Sequence, residues 1–212
     1  MEPASRHHCM IYEGSPSRHL RAMASATQQK LQQNYRCFYL NSPPMVAGMR
    51  SYLAAAGIDV VHESERASLV FSSEREHLVD GMFDVDRMLE SLEDAVHRAL
   101  HDGYAGLWAT GDMTWELGGE QEFAKLLEYE WRLEEAFQKQ PALSGVCQYH
   151  ADTLPREVLQ QGLVTHPAIF VNETLSMINP HYVREEFFTE QTVLNPKLES
   201  MVSDLCKSSF PD

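Results

Sequence analysis

Short uncharged apolar runs, each followed by a helix-length amphipathic stretch, leave this chain few folds. The sharpest run is Leu107-Trp108-Ala109, inside the segment GYAGLWATGDMTWE from Gly103 to Glu116. It carries no charge, lies between glycines, and ends on a turn rich in small, acidic and aromatic residues. A strand without a polar face is one buried on both sides, as in a parallel sheet. Ligands in open α/β sheets collect at the carboxyl ends of such strands. Thr110, Asp112 and Trp115 are therefore the first positions to inspect for a site.

The same punctuation recurs along the chain. Strands are expected at 7–12, 36–40, 58–61, 67–71, 107–109, 142–149 and 168–171. Helices are expected at 18–34, with Ser17 as N-cap, and at 45–56, 84–101, 120–138 and 154–166, the last opening with Pro155 at its first turn. The 84–101 helix is capped by Asp84 and places Val85, Met88, Leu89, Leu92, Val96, Ala99 and Leu100 on one apolar face. Residues 1–6 read as a disordered leader, 72–81 as a charged loop and 174–180 as a turn or edge hairpin. One more helix is expected near 196–205. Alternating strands and helices predict an α/β fold: a three-layer, mostly parallel sheet with helices on both faces. One domain over 7–185 with a C-terminal extension over 186–212 accounts for the pattern.

Charge narrows the function. A formal net charge of −14 over 212 residues argues against direct nucleic-acid contact and against docking on anionic membranes. No run reaches the roughly 18 apolar residues of a membrane span, and the first 25 residues lack a secretory pattern. The four cysteines, Cys9, Cys37, Cys147 and Cys206, are scattered, which fits a reducing cytoplasm.

Several groups of residues bear chemistry. His7, His8 and Cys9 are metal-ligand types, but strand alternation puts His7 and Cys9 on one face and His8 on the other. Without a second close pair, a structural role for them is favoured over a tight metal site. The turn at 12–19 has one glycine, a proline and no lysine, so it does not make a phosphate cradle. Asp112 and Glu116 flank Trp115 at the mouth of a pocket walled by Trp108, Met113 and Trp115, or else Asp112 caps a turn and the tryptophans are core. Glu128, Glu130, Glu134 and Glu135 lie on the 120–138 helix, where the Glu128–Arg132 spacing favours a solvated, ion-paired face over a carboxylate site. Gln148, Tyr149 and His150 end a strand near the same rim. His166 precedes Pro167, which biases it away from helical geometry. No nucleophile elbow GxSxG is present, and serine or cysteine hydrolysis has no support.

Taken in order, HHCMIY (7–12), CFYLNSPP (37–44), AAAGIDV (54–60), GMFDVDRML (81–89), GYAGLWATGDMTW (103–115), LLEYEWRLEEAF (126–137), GVCQYH (145–150), THPAIFV (165–171) and NPHYV (179–183) resemble the MEDS family, the DcmR-like sensory domain of methanogen and methylotroph proteins. The resemblance implies a degenerate relative of the RecA/KaiC-like ATPase fold whose phosphate loop no longer works. It implies a non-catalytic cytoplasmic sensor of a small, partly apolar hydrocarbon derivative, and a His-Cys-Tyr motif falling on His8, Cys9 and Tyr12. The expected ligand set is His8, Cys9, Tyr12, Trp108, Asp112, Met113, Trp115, Gln148, Tyr149 and His166. No cofactor is required by the sequence, and His7, His8 and Cys9 are the metal candidates. No output segment is read in the chain, so the signal is expected to leave through a regulatory protein partner or through self-association. The rival expectations are an interaction module without a small ligand and a remnant nucleotide- or metal-dependent enzyme.

Overall fold

The computed structural model describes residues 6–15, 18–116 and 123–208. The expected leader (Arg6 apart), the Ser17 cap, the start of the 120–138 helix and the side chains of Trp115 and Glu116 lie outside the described residues. Strands β1 (His7–Tyr12), β2 (Tyr35–Leu40), β3 (Leu69–Ser72), β6 (Gly106–Asp112), β7 (Leu143–His150), β8 (Ala168–Asn172) and β9 (Leu175–Ile178) form a 7-stranded sheet. Its order is β3-β2-β6-β7-β1-β8-β9. Pairing is parallel except between β8 and β9, which are antiparallel. A separate antiparallel pair joins β4 (Leu78–Val79) to β5 (Met82–Phe83).

Helices cover both faces. On one side α1 (Leu20–Gln32), α2 (Pro43–Ala55) and α3 (Val60–Glu65) pack on Met10, Tyr12, Cys37, Tyr39, Trp108 and Val146. On the other, α4 (Val85–His101), α6 (Phe123–Lys139), α7 (Arg156–Thr165) and α9 (Pro196–Ser208) pack on Cys9, Ile11, Leu107, Cys147, Tyr149 and Ile169. Odd and even positions of each strand feed different cores, as the pleat requires. Short α5 (Met113–Glu116) follows β6 directly, and α8 (Glu190–Val193) precedes α9. From the expected C-terminal extension, Val193, Leu198, Val202 and Leu205 are buried in the α4–α6–α7 core.

Four expectations need correction. The 58–61 run is not a strand, because the Asp59 side chain accepts from the His62 backbone N–H at 3.0 Å and starts α3 instead. The charged 72–81 loop contains β4, and the Asp80-Gly81 pair, with φ of 52° and 83°, turns the chain back into β5. Asp84 does cap α4, accepting from Arg87 N at 2.8 Å, but Leu100 stands exposed, beside the buried stripe that ends at Ala99. Pro155 sits at the N-cap of α7, one residue before the helix.

Candidate functional site

The solvated face expected for the acidic helix exists only in part. Glu128 and Glu135 are exposed, with Arg132 reaching Glu128 at 3.5 Å and Asp86 at 2.6 Å. Glu130 and Glu134 are buried instead. Residues at i, i+4 and i+7 share a helix face, and Glu130, Glu134 and Phe137 therefore look inward with Leu126 and Leu133. Two carboxylates inside an apolar stripe demand partners, because an isolated buried charge is very costly.

The partners come from three other segments. His7 opens β1, Cys147 lies within β7, and His166 occupies the turn between α7 and β8. Together with Glu130 they form a buried group whose ligand-type atoms all lie within 4.8 Å of one another. His7 Nε2 stands 3.5 Å from Glu130 Oε2 and 3.4 Å from Cys147 Sγ. His166 Nε2 is 3.4 Å, and Cys147 Sγ 3.7 Å, from the same Glu130 oxygen.

The outer atoms of each group are held as well. His7 Nδ1 donates to Glu134 Oε2 at 3.0 Å, and Gln138 Nε2 donates to the other Glu134 oxygen at 2.8 Å. The His7 ring stacks on Phe137 with centroids 4.5 Å apart. His166 Nδ1 donates to the Gly162 carbonyl at 2.6 Å. A carbonyl oxygen only accepts, so the ring proton sits on Nδ1 and the Nε2 lone pair points into the group. Tyr149 donates its hydroxyl to Glu130 Oε1. Asn179 holds the turn that carries His166, its amide donating to the carbonyls of Leu163 and of His166.

Protonation follows from this packing. Burial, then the neighbouring His7, push His166 down to about 3, so it is neutral near pH 7. Burial alone would lower His7 too, but its hydrogen bonds to Glu130 and Glu134 outweigh that and raise it. For Glu130, burial acts upward and the neighbouring His166 and His7, with the Tyr149 hydroxyl, act downward; the net is a lowered pKa. We take the carboxylate as ionised on the strength of His7 and Tyr149, since His166 carries no charge to help it. Burial and the Glu130 charge raise the Cys9 thiol well above its ordinary range.

The expected ligand residues fall into separate places. At the carboxyl ends of the strands, on the α1 side, Tyr12 donates to Asp112 Oδ2 at 3.2 Å and Gln148 Nε2 donates to Thr110 Oγ1 at 2.6 Å. His150 and His19 flank the Tyr12 ring at 4.8 and 4.2 Å. Just past β1, the Gly14 N–H donates to Asp152 Oδ2 at 2.8 Å. Tyr149 and His166 belong to the Glu130 group on the opposite face, and Cys9 packs in that same core. His8 and Trp108 line a cleft of about 330 Å³ near the amino ends of the strands, with Arg6, Lys30 and Glu173. Burial pushes His8 down to about 4. Met113 is core, and it helps line a mostly apolar cavity of about 20 Å³ against Cys147, with Met88, Leu92, Tyr129, Leu133 and Phe137. Of the metal candidates, His7 enters the Glu130 group; His8 and Cys9 do not.

Glu130, Glu134 and Cys147 carry this site and were not among the expected residues. Glu130 had one usable signal, its place in the stripe between Leu126 and Leu133. Cys147 had only its register opposite Cys9, which a sequence does not display.

A family model described as MEDS, the methanogen/methylotroph, DcmR sensory domain, matches residues 6–167. No curated protein matches the chain.

Proposed function

The chain belongs to the MEDS family of sensory domains, and on that premise we propose that it is a non-catalytic sensor of a small, partly apolar molecule such as a hydrocarbon derivative. The observation that carries the reading is the apolar cavity set directly against Cys147 and its polar neighbours. A space of about 20 Å³ holds roughly one water-sized molecule. A larger guest is admitted by rotation of Met88 and Met113, whose unbranched side chains repack easily. Binding there shifts the balance between two packings of α4 and α6 on the sheet.

The signal then leaves through a regulatory protein or a second copy of the chain. The exposed Leu175, Met177 and Ile178 of edge strand β9 support such a contact. The charge of −14 speaks against nucleic acid as the direct partner. Among the described residues no helix is long and apolar enough to cross a membrane, which agrees with a cytoplasmic place of action. The fold is read as RecA/KaiC-like with an inactive phosphate loop, supported by the Gly14 N–H being taken by the Asp152 carboxylate.

The test uses dichloromethane as the probe, with methanol as the polar control, in thermal unfolding of the wild type and of Ala109→Val, which fills the cavity from β6. At ten times Kd a ligand adds about 1.4 kcal/mol, so Tm rises about 3–6 °C. The rise saturates in the wild type and is absent in the variant. No rise in either protein refutes the sensor reading for this class of ligand. An equal rise in both refutes the cavity as its site.

A further inference from the structure

We propose that His7 Nε2, His166 Nε2, Cys147 Sγ and one oxygen of Glu130 bind a single divalent transition-metal ion of the zinc class. This goes beyond the small-molecule reading and does not depend on it.

The first argument is metric. Zinc bonds run about 2.0–2.1 Å to nitrogen or oxygen and about 2.3 Å to thiolate sulfur. The edges of a tetrahedron built on those bonds are about 3.4 Å between nitrogen and oxygen and about 3.5–3.6 Å to sulfur. The corresponding separations here are 3.5 and 3.4 Å from Glu130 Oε2 to His7 and His166, 3.4 Å from His7 to sulfur, and 3.7 Å from Glu130 to sulfur. Four of the six edges of the tetrahedron are already in place to within about two tenths of an ångström, and the two from His166 to His7 and to Cys147 lie within 4.8 Å, so that the ion draws His166 inward.

The second argument is the direction of the lone pairs. Both imidazoles give their Nδ1 proton to an acceptor outside the group, Glu134 for His7 and the Gly162 carbonyl for His166. That arrangement fixes the tautomer and turns Nε2 inward, as is usual for metal-bound histidine. His166 Nε2 is fully buried and makes no hydrogen bond, although a carboxylate oxygen lies 3.4 Å away. Two lone pairs facing each other in a dry interior repel, and a cation between them removes the conflict. Tyr149 occupies Glu130 Oε1, which leaves Oε2 as a single inward donor.

The third argument is the donor chemistry. Two imidazoles, a thiol that becomes a thiolate, and a carboxylate suit zinc far better than calcium or magnesium, which take oxygen. Four protein donors fill a tetrahedron and leave no open position, the pattern of a non-catalytic site. Binding releases to solvent the Cys147 proton and the proton that His7 Nε2 holds toward Glu130, leaves the His7 Nδ1 proton in its bond to Glu134, and transfers no electrons.

The test uses the full chain, stripped with chelator and titrated with Co²⁺. One ion per chain is expected to produce an intense thiolate-to-cobalt charge-transfer band and tetrahedral visible bands. Zn²⁺ is expected to abolish both and to raise Tm. In Cys147→Ser the charge-transfer band is lost, whereas Cys206→Ser keeps it. Glu134→Gln binds roughly 10–100-fold more weakly through its effect on His7. Because Cys147→Ser can fail to fold, X-ray absorption on the wild-type zinc form provides a measure that needs no variant: one sulfur and three nitrogen or oxygen neighbours. A folded wild type with no cobalt band and no Zn²⁺-dependent Tm overturns the proposal and leaves a proton-held ion-pair group. A band that survives Cys147→Ser, or an absorption spectrum without sulfur, overturns it as well. None of these outcomes touches the dichloromethane result.

Discussion

Tyr149→Phe isolates one interaction at the heart of the site. Tyr149 is fully buried, and its hydroxyl donates to Glu130 Oε1. Phenylalanine keeps the ring and its packing in the core and deletes only that donor. A hydrogen bond to a charged group contributes about 1.5–3 kcal/mol. The deletion also strands a carboxylate oxygen inside a dry core, so the upper half of that range applies. The expected loss is about 2–3 kcal/mol, equal to a fall in Tm of roughly 4–12 °C for a chain of this size. The assay is urea unfolding of the chelator-treated protein near neutral pH, followed by tryptophan fluorescence. The midpoint should move with the slope unchanged, the mark of a stability effect without a change in the unfolded state. Tyr52→Phe, at a half-exposed position on α2, should stay within about 0.5 kcal/mol. A loss below about 0.5 kcal/mol in Tyr149→Phe would refute the argument, because Glu130 would then not depend on this hydroxyl.

Two further outcomes follow from the same geometry. Gly162→Ala places a Cβ 2.6 Å from the Tyr149 ring, and that ring is locked between α7 and Glu130. The expected cost is about 1–3 kcal/mol of overpacking, read as a lowered urea midpoint, and unchanged stability would contradict the packing. Burial, chiefly, lowers His19 to about 4 from its ordinary 6.5. The unfolded chain therefore takes up a proton at higher pH than the folded one. This contribution is full above about pH 6.5 and falls as pH drops toward 4, by up to about 3 kcal/mol. Comparing His19→Gln with the wild type at the two ends of that window should show a smaller acid loss in the variant; identical losses would mean His19 is solvated.

Much of the fold could be read along the chain because local rules decide it. The uncharged runs at 107–109 and 168–171 read as buried strands, the Asp84 cap and its apolar stripe read as a helix start, and their alternation implies a parallel sheet. The failures were local as well. The 58–61 run carries strand-like valines, but one side-chain hydrogen bond from Asp59 was enough to begin a helix. Likewise two residues at positive φ were enough to make a hairpin of a charged loop.

The site was far less legible. Strand alternation alone separates Gln148 from Tyr149, and His8 from Cys9, so the expected ligand residues were bound to divide between two faces. His7 and His166 draw notice by residue type, but strand alternation and the lack of a second close pair favour a structural role for the first strand. What no spacing rule showed is that Glu130 and Cys147 would meet them. The sequence by itself determined most of the elements, the apolar stripe of α4 and the family, since each depends on neighbours within a few residues. Only the tertiary structure decided which polar groups share an interior, because that follows from sheet order. The order β7-β1-β8 sets Cys147, His7 and His166 side by side under α6, across more than a hundred residues of chain, and the packing of α6 then buries Glu130 and Glu134 against them.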